Sequence, residues 1–179
     1  MIRKAVDTDR AQVLALYKLV ATVPDGIARK PDEVTGEYVA GFMEKAAAGG
    51  VELVWEEGGR ILGEIHASCP GIAALAHLLT DLTIAVAPDA HGRGIGRALF
   101  QGLLDEVSVH MPHIHRVELF ARVSNDRARS LYRSLGFVEE GRLRARVNNA
   151  LGVAGDDTIM GWLRPANNID RTVNLKETA

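Results

Sequence analysis

The residues with the clearest chemical potential run Val86-Ala87-Pro88-Asp89-Ala90-His91-Gly92-Arg93-Gly94-Ile95-Gly96-Arg97-Ala98-Leu99. Gly92, Gly94 and Gly96 stand where a strand pattern gives way to a helix pattern. Without side chains there, backbone N–H groups can approach an anion. The helix N-terminus adds about half a positive charge. Arg93 and Arg97 add more, so the segment reads as a phosphate or pyrophosphate cradle. A P-loop needs a Gly-Lys pair, and the chain has none. A dinucleotide fingerprint counted from Gly92 needs its third glycine where Arg97 stands.

Other reactive groups lie on both sides of this cluster. Asp81 precedes it on the same strand. Glu64 and His66 flank Ile65, so they share one face of the preceding strand. Glu118 lies on the strand after the glycine-led helix. Asn125, Arg129 and Tyr132 belong to Ser124-Asn125-Asp126-Arg127-Ala128-Arg129-Ser130-Leu131-Tyr132-Arg133-Ser134-Leu135-Gly136-Phe137. Arg142, Arg144 and Arg146 recur with period two and predict one basic strand face. His110, His113 and His115 flank Pro112 at a helix-to-strand turn, which reads as a solvated loop, and no metal site is expected. Cys69 stands alone, so no internal disulfide is expected.

These groups need a scaffold. Ile2 to Val6 reads as a strand. Asp7 or Thr8 then caps a helix carrying Val13, Leu14, Tyr17 and Val20, and Pro24-Asp25-Gly26 ends it. A second helix is predicted from Pro31-Asp32-Glu33, with Val34, Tyr38, Phe42 and Met43 on one face, closing at Gly49-Gly50. Strands Val51–Glu57 and Arg60–Cys69 flank the hairpin signal Gly58-Gly59. A third runs from about Leu78 to Val86. The glycine-led helix buries Ile95, Leu99, Phe100, Leu103, Leu104 and Val107. Strand Arg116–Val123, a short helix from Asp126 to Leu135, and strands Phe137–Val147 and Thr158–Leu163 complete the pattern. The order β-α-α-β-β-β-α-β-α-β-β predicts a mixed α/β sheet with helices on both faces.

Composition narrows the class. The 179 residues suit one domain, expected over 1–165, with a polar tail over 166–179. Hydrophobic residues make up 47% and charged residues 25%, a globular balance. A net charge of −2 argues against a general nucleic-acid binder. No apolar run approaches a membrane span, and Met1 to Asp7 shows no signal-peptide core. A soluble cytoplasmic protein is expected, with neither nucleic acid nor membrane as partner.

The glycine cluster, from Val86-x-Pro88 through Leu99, resembles the acyl-CoA signature of the GNAT superfamily of N-acetyltransferases, Arg/Gln-x-x-Gly-x-Gly/Ala. His91 stands where that signature has arginine or glutamine. The segment from Asn125 to Phe137 resembles the family's downstream block, Asn-x-x-Ala-x-x-Leu-Tyr-x-x-x-Gly-Phe. The resemblance covers about Asp81 to Gly141. It implies a three-layer, mostly antiparallel sheet of about seven strands with a splayed central pair. It implies acetyl transfer from acetyl-CoA to a primary amine by direct attack, with acetyl-CoA as co-substrate and no covalent intermediate. A homodimer is compatible with it. The alternative is a non-catalytic acyl-CoA-binding sensor of the same fold.

Carried over residue by residue, the resemblance assigns cofactor contacts to Ile84, Ala85, Val86, His91, Gly92, Arg93, Gly94, Ile95, Gly96, Arg97, Asn125, Arg129 and Tyr132. Backbone groups of the strand ending at Val86 would pair with the pantetheine arm. The Ile84 N–H would polarise the thioester carbonyl. Tyr132 would protonate the leaving thiolate. Asp81 is the expected base, acting through water, with Glu64 and His66 as further candidates. One branch places a basic glutamate where this chain has Phe120, so that assignment does not transfer, and Glu118 on the same strand face stands as a substitute. The acceptor site is expected from Val23–Lys30 and the arginine strand, with the Gly-rich connection Asn148–Asp157 as a lid.

Overall fold

Seven strands form one sheet in the order β1-β2-β3-β4-β5-β7-β6. The computed structural model describes residues 1–24, 26–148 and 152–165. The strands are β1 Ile2–Lys4, β2 Val51–Glu57, β3 Arg60–Ser68, β4 Leu78–Val86, β5 Arg116–Arg122, β6 Val138–Asn148 and β7 Ala154–Leu163. The helices are α1 Arg10–Ala21, α2 Gly36–Ala47, α3 Ile95–His110 and α4 Asp126–Ser134. All pairings are antiparallel except β4 with β5. The element order and the mixed α/β sheet agree with the sequence reading. The expected tail over 166–179 lies outside the described residues, as does Asp25 of the first turn signal.

Alternation along β3 sorts the layers. Glu64 and His66 face α1 and α2, touching Tyr17 and Phe42. Gly63 and Ile65 face α3. A Cβ at Gly63 would lie 2.9 Å from both Ile95 and Leu99, so this glycine lets α3 press onto the sheet. The helices bury the stripes expected of them, Val13, Tyr17 and Val20 from α1 and Leu99, Phe100, Leu103 and Val107 from α3.

Three local expectations change. Helix α2 starts at Gly36, not Pro31. Residues Pro31–Glu33 form a separate turn in which Glu33 accepts from the Lys30 N–H at 2.7 Å, and Thr35 caps α2 by accepting from the Tyr38 N–H at 3.1 Å. Strand β7 begins at Ala154, which pairs with Asn148. The expected lid therefore shrinks to a hairpin connection, of which residues 149–151 lie outside the described set. Strand β6 bulges between Leu143 and Val147, with Ala145 at φ 51°. Asp156 anchors the bulge by accepting from the Ala145 N–H at 2.8 Å and from Arg142 at 2.6 Å. The period-two arginine face is broken there, because extra residues rotate the side chains off one plane.

Strands β4 and β5 are the site's frame. They pair only at Leu78–Arg116 and Leu79–Val117, then diverge. A polar clasp closes the apex: Thr80 donates to Glu118 at 3.1 Å, and Arg116 bridges Glu118 at 3.0 Å and Glu140 at 2.5 Å. Just beyond, β4 bulges opposite His66 and Ser68, with Asp81 at φ 53°. A short polar residue tolerates that left-handed conformation better than most.

At the far end of the sheet, Arg164 is 4% exposed and donates to the carbonyls of Val107, Ser108, Met111 and Ile114. It satisfies the orphan C=O groups ending α3 and opposes the helix dipole. Arg164→Ala is expected to destabilise the fold by about 3 kcal/mol or more, since it strands several buried carbonyls. Urea unfolding measures this, and a loss under about 1 kcal/mol would contradict the cap's importance.

Candidate active site

Past the fork, the two strands wall a cleft of about 710 Å³. Ile84, Asn125, Tyr132, Asp81, His66, Arg29, Tyr38 and Arg146 are among its lining residues.

The backbone of β4 gives the cleft its first chemical feature. The Ala87 N–H donates to Leu62 of β3 at 2.9 Å. Antiparallel pairing alternates by residue, so Ala85 also turns its N–H and C=O toward β3. Ile84 and Val86 turn theirs the other way, where β5 has left. Of the three expected backbone contacts, Ile84 and Val86 are open and Ala85 is occupied. His91 closes one of the open groups, with Nε2 3.0 Å from the Val86 carbonyl. It therefore shapes the loop, a use the sequence did not disclose.

Gly92 and Gly94 adopt φ 77° and 80°, so their freedom is required by the turn. Gly94 is the N-cap of α3, and no side chain caps it. The N–H groups of Ile95, Gly96 and Arg97 are thus exposed donors at the helix N-terminus. Gly96 differs: a Cβ there would make only ordinary contacts at 3.8 and 3.9 Å. Arg97 donates to Ser134 at 2.7 Å, close to α4. Arg93 is engaged by Glu57 at 2.7 and 2.9 Å. To meet an anion it must leave that exposed carboxylate, a small cost at the surface.

Helix α4 delivers two side chains. Asn125 is its N-cap, accepting from the Ala128 N–H at 3.0 Å, and its amide also lines the cleft. Tyr132 packs its ring 4.9 Å from that of Phe100, and burial pushes its phenol up to about 12. The hydroxyl stays protonated across the physiological range. The Arg129 guanidinium is divided among Glu139, Asp126 and the Val123 carbonyl, bracing α4 to β6.

A buried network backs the cleft at His66. Glu64 is fully buried and accepts from the Tyr17 hydroxyl at 2.5 Å. Its other oxygen lies 3.0 Å from His66 Nδ1. Burial and the Glu64 charge hold the Tyr17 phenol well above its usual range. His66 stacks on Phe42 with centroids 3.9 Å apart and lines the cleft, whereas Glu64 does not. Glu64 therefore meets the cleft only through His66. Asp81 lines the cleft from the bulge, as expected. Glu118 does not line it, because its carboxylate is committed to the apex clasp.

Gly26–Arg29 also wall the cleft, as expected of the first interhelical loop. The Arg29 guanidinium lies 4.0 Å from the Tyr38 ring centroid. Burial raises the Tyr38 phenol, with Arg29 opposing. Arg146 sits over Phe120 at 3.8 Å and pairs with Asp157 at 3.4 Å, so one arginine of the expected face does reach the cleft. Tyr17 was read only as part of the α1 stripe. Its bond to a carboxylate 47 residues away has no local signal. Among the described residues no group of three or more His, Cys, Asp or Glu side chains could hold a metal ion, and no helix is long and apolar enough to cross a membrane.

The acetyltransferase (GNAT) domain model matches residues 49–139. Over 67 residues the chain is 37% identical to a spermidine N(1)-acetyltransferase of Vibrio cholerae, covering 37% of this chain but only 38% of that relative's length. Among solved structures, a ribosomal-protein-alanine N-acetyltransferase from Brucella melitensis is similar with a TM-score of 0.80 and 26% identity, over 92% of this chain and 99% of that one. A GNAT superfamily phosphinothricin acetyltransferase from Sinorhizobium meliloti, in complex with AcCoA, shares the fold with a TM-score of 0.78 at 22% identity, over 97% and 96% of the two chains.

Behind the network, Glu52 stands opposite His66 in the β2–β3 register. Burial, then the Glu64 charge, raise its carboxyl from 4.5 to about 8, and its Oε1 is buried without a partner. A carboxyl raised in the folded state binds more protons folded than unfolded between those two values. Stability must therefore fall as pH rises from 4.5 through about 8. Glu52→Gln is expected to raise the melting temperature more at pH 9 than at pH 5, read by calorimetry. An equal shift at both would contradict the buried-acid account.

Proposed function

The chain belongs to the acetyltransferase (GNAT) domain family, and on that premise we propose that it transfers the acetyl group of acetyl-CoA to a primary amine by direct attack. The carrying observation is the open backbone of Ile84 and Val86 beside exposed donors at the α3 N-terminus. In this reading the pantetheine arm fills the missing place beside β4. Its pyrophosphate meets the N–H groups of Gly92 to Arg97. The Ile84 N–H points to the thioester oxygen, where charge develops as the amine attacks.

The carbon–sulfur bond then breaks, and its electron pair leaves with sulfur. Tyr132 is the hydroxyl assigned to that sulfur. A phenol near 12 is a weaker acid than a thiol, whose reference value is about 8.5. Tyr132 therefore acts chiefly as a hydrogen-bond donor to the developing thiolate, and full proton transfer is uphill. Free phenol and free thiol suggested a closer match, and burial shifts the balance.

The cleft supports an amine whose carrier also bears an anionic group. Arg29 and Lys45 line it without an ion pair to a carboxylate among the described residues, and Glu33 and Asp81 line the same cleft. A bare polyamine would find these cations unfavourable.

The test is thiol release from acetyl-CoA against pooled amino acids, polyamines, aminoglycosides and peptides with free N-termini. Turnover is expected in a pool whose members carry a carboxylate or phosphate. Tyr132→Phe should lower kcat about 100-fold while leaving acetyl-CoA affinity within about threefold. Acetyl-CoA binding with silence in every pool would contradict the catalytic reading and favour the acyl-CoA sensor.

A further inference from the structure

The Tyr17–Glu64–His66 network is a buried polar cluster that touches the cleft. From its geometry we infer that His66 is the base that takes the acceptor's proton, and that Glu64 and Tyr17 position it. The inference rests on the acetyl-transfer reading and deepens it.

The hydrogen bonds assign the tautomer. Tyr17 spends its single O–H on Glu64 Oε2. The phenol oxygen then has no proton left for His66, from which it lies 3.3 Å. An ionised Glu64 only accepts. Both groups facing Nδ1 are therefore acceptors, so Nδ1 carries the proton and Nε2 carries the lone pair. Among the described residues no protein group bonds Nε2. Phe42 holds the ring flat at an interplanar angle of 10°. The register places His66 beside Thr83, next to Ile84 and its open N–H. A base here stands one residue pair from the group assigned to the thioester oxygen.

Burial explains why the proton is accepted. A fully buried carboxylate with only neutral donors is poorly compensated. When Nε2 gains a proton, the pair becomes imidazolium and carboxylate, and each stabilises the other in a low-dielectric setting. Glu52 of β2 pairs with His66 in the sheet, and Asp81 of β4, Lys45 of α2 and Tyr38 line the same cleft. In the step, an acceptor N–H bond breaks and its proton moves to Nε2. The freed nitrogen pair attacks the carbonyl carbon, a second nitrogen proton passes to the leaving thiolate as the amide forms, and the imidazolium later releases its proton to water. Asp81 is exposed on the β4 bulge, whereas His66 is held by Glu64, Tyr17 and Phe42.

Three variants and one spectrum test this. With the acceptor pools above, His66→Ala should cut thiol release roughly 100-fold or more, with acetyl-CoA affinity retained. His66→Gln keeps a polar contact toward Glu64 but takes no proton, so it should be equally inactive. Glu64→Gln should fall between these and the unaltered protein. Imidazole ¹⁵N spectra of the acetyl-CoA-bound protein should show Nδ1 protonated and Nε2 bare. Thermal unfolding checks that each variant is folded. Turnover that survives His66→Ala, or returns in His66→Gln, overturns the assignment and leaves acetyl transfer standing, as does an Nε2-protonated spectrum. An unaltered protein that binds acetyl-CoA but turns over no pool takes both readings down.

Discussion

Two residue pairs join β4 to β5, and everything functional lies beyond them. Were the pairing to continue, the N–H and C=O groups of Ile84 and Val86 would be spent on β5. The divergence leaves them without strand partners, and apart from the Val86 carbonyl, which His91 meets, they cost free energy unless water or a ligand satisfies them. The bulge at Asp81 bends β4 away, and the Thr80–Glu118–Arg116–Glu140 clasp holds the apex against further opening. The sheet is thus intact at one end and forked at the other. Helix α3 begins where β4 ends, so its free N-terminal donors continue the line of free strand donors.

Around this fork, two buried charged side chains have partners built for them, unlike Glu52, whose Oε1 has none. Arg164 gathers four carbonyls, and Glu64 gathers a phenol and an imidazole. The two serve different ends. The Arg164 contacts are all to backbone and fix the end of α3. The Glu64 contacts are to titratable side chains, one of which reaches the cleft. That contrast separates a structural polar cluster from one able to move a proton.

Much of this was legible in the chain. Glycines at 92 and 94 located the strand-to-helix turn, since both take positive φ there. Hydrophobic periodicity placed α1 and α3, because each buries one face. What escaped was what depends on distant partners. Arg129 matched a motif position, yet Glu139 and Asp126 claim it. Glu118 had the right spacing for a base but lies at the apex clasp. Glu64 and His66 were correctly placed on one face, but nothing local showed that one lies beneath the other. The arginine face of β6 was lost to a bulge set by Asp156, a residue of the next strand. The start of α2 moved because Glu33 bonds back to Lys30 instead of opening the helix.

The central claim is that β4 offers unpaired backbone to a ligand lying in the place of a strand. Residue-resolved amide hydrogen exchange, with and without acetyl-CoA, tests it most directly. In the free protein the Ile84 and Val86 amides should exchange fast, while those of Ala85 and Ala87 are already protected by β3. Saturating acetyl-CoA should slow Ile84 and Val86 and leave Ala85 and Ala87 little changed. If Ile84 and Val86 are protected in the free protein, or stay fast when acetyl-CoA is bound, the fork is not the binding element and the account fails.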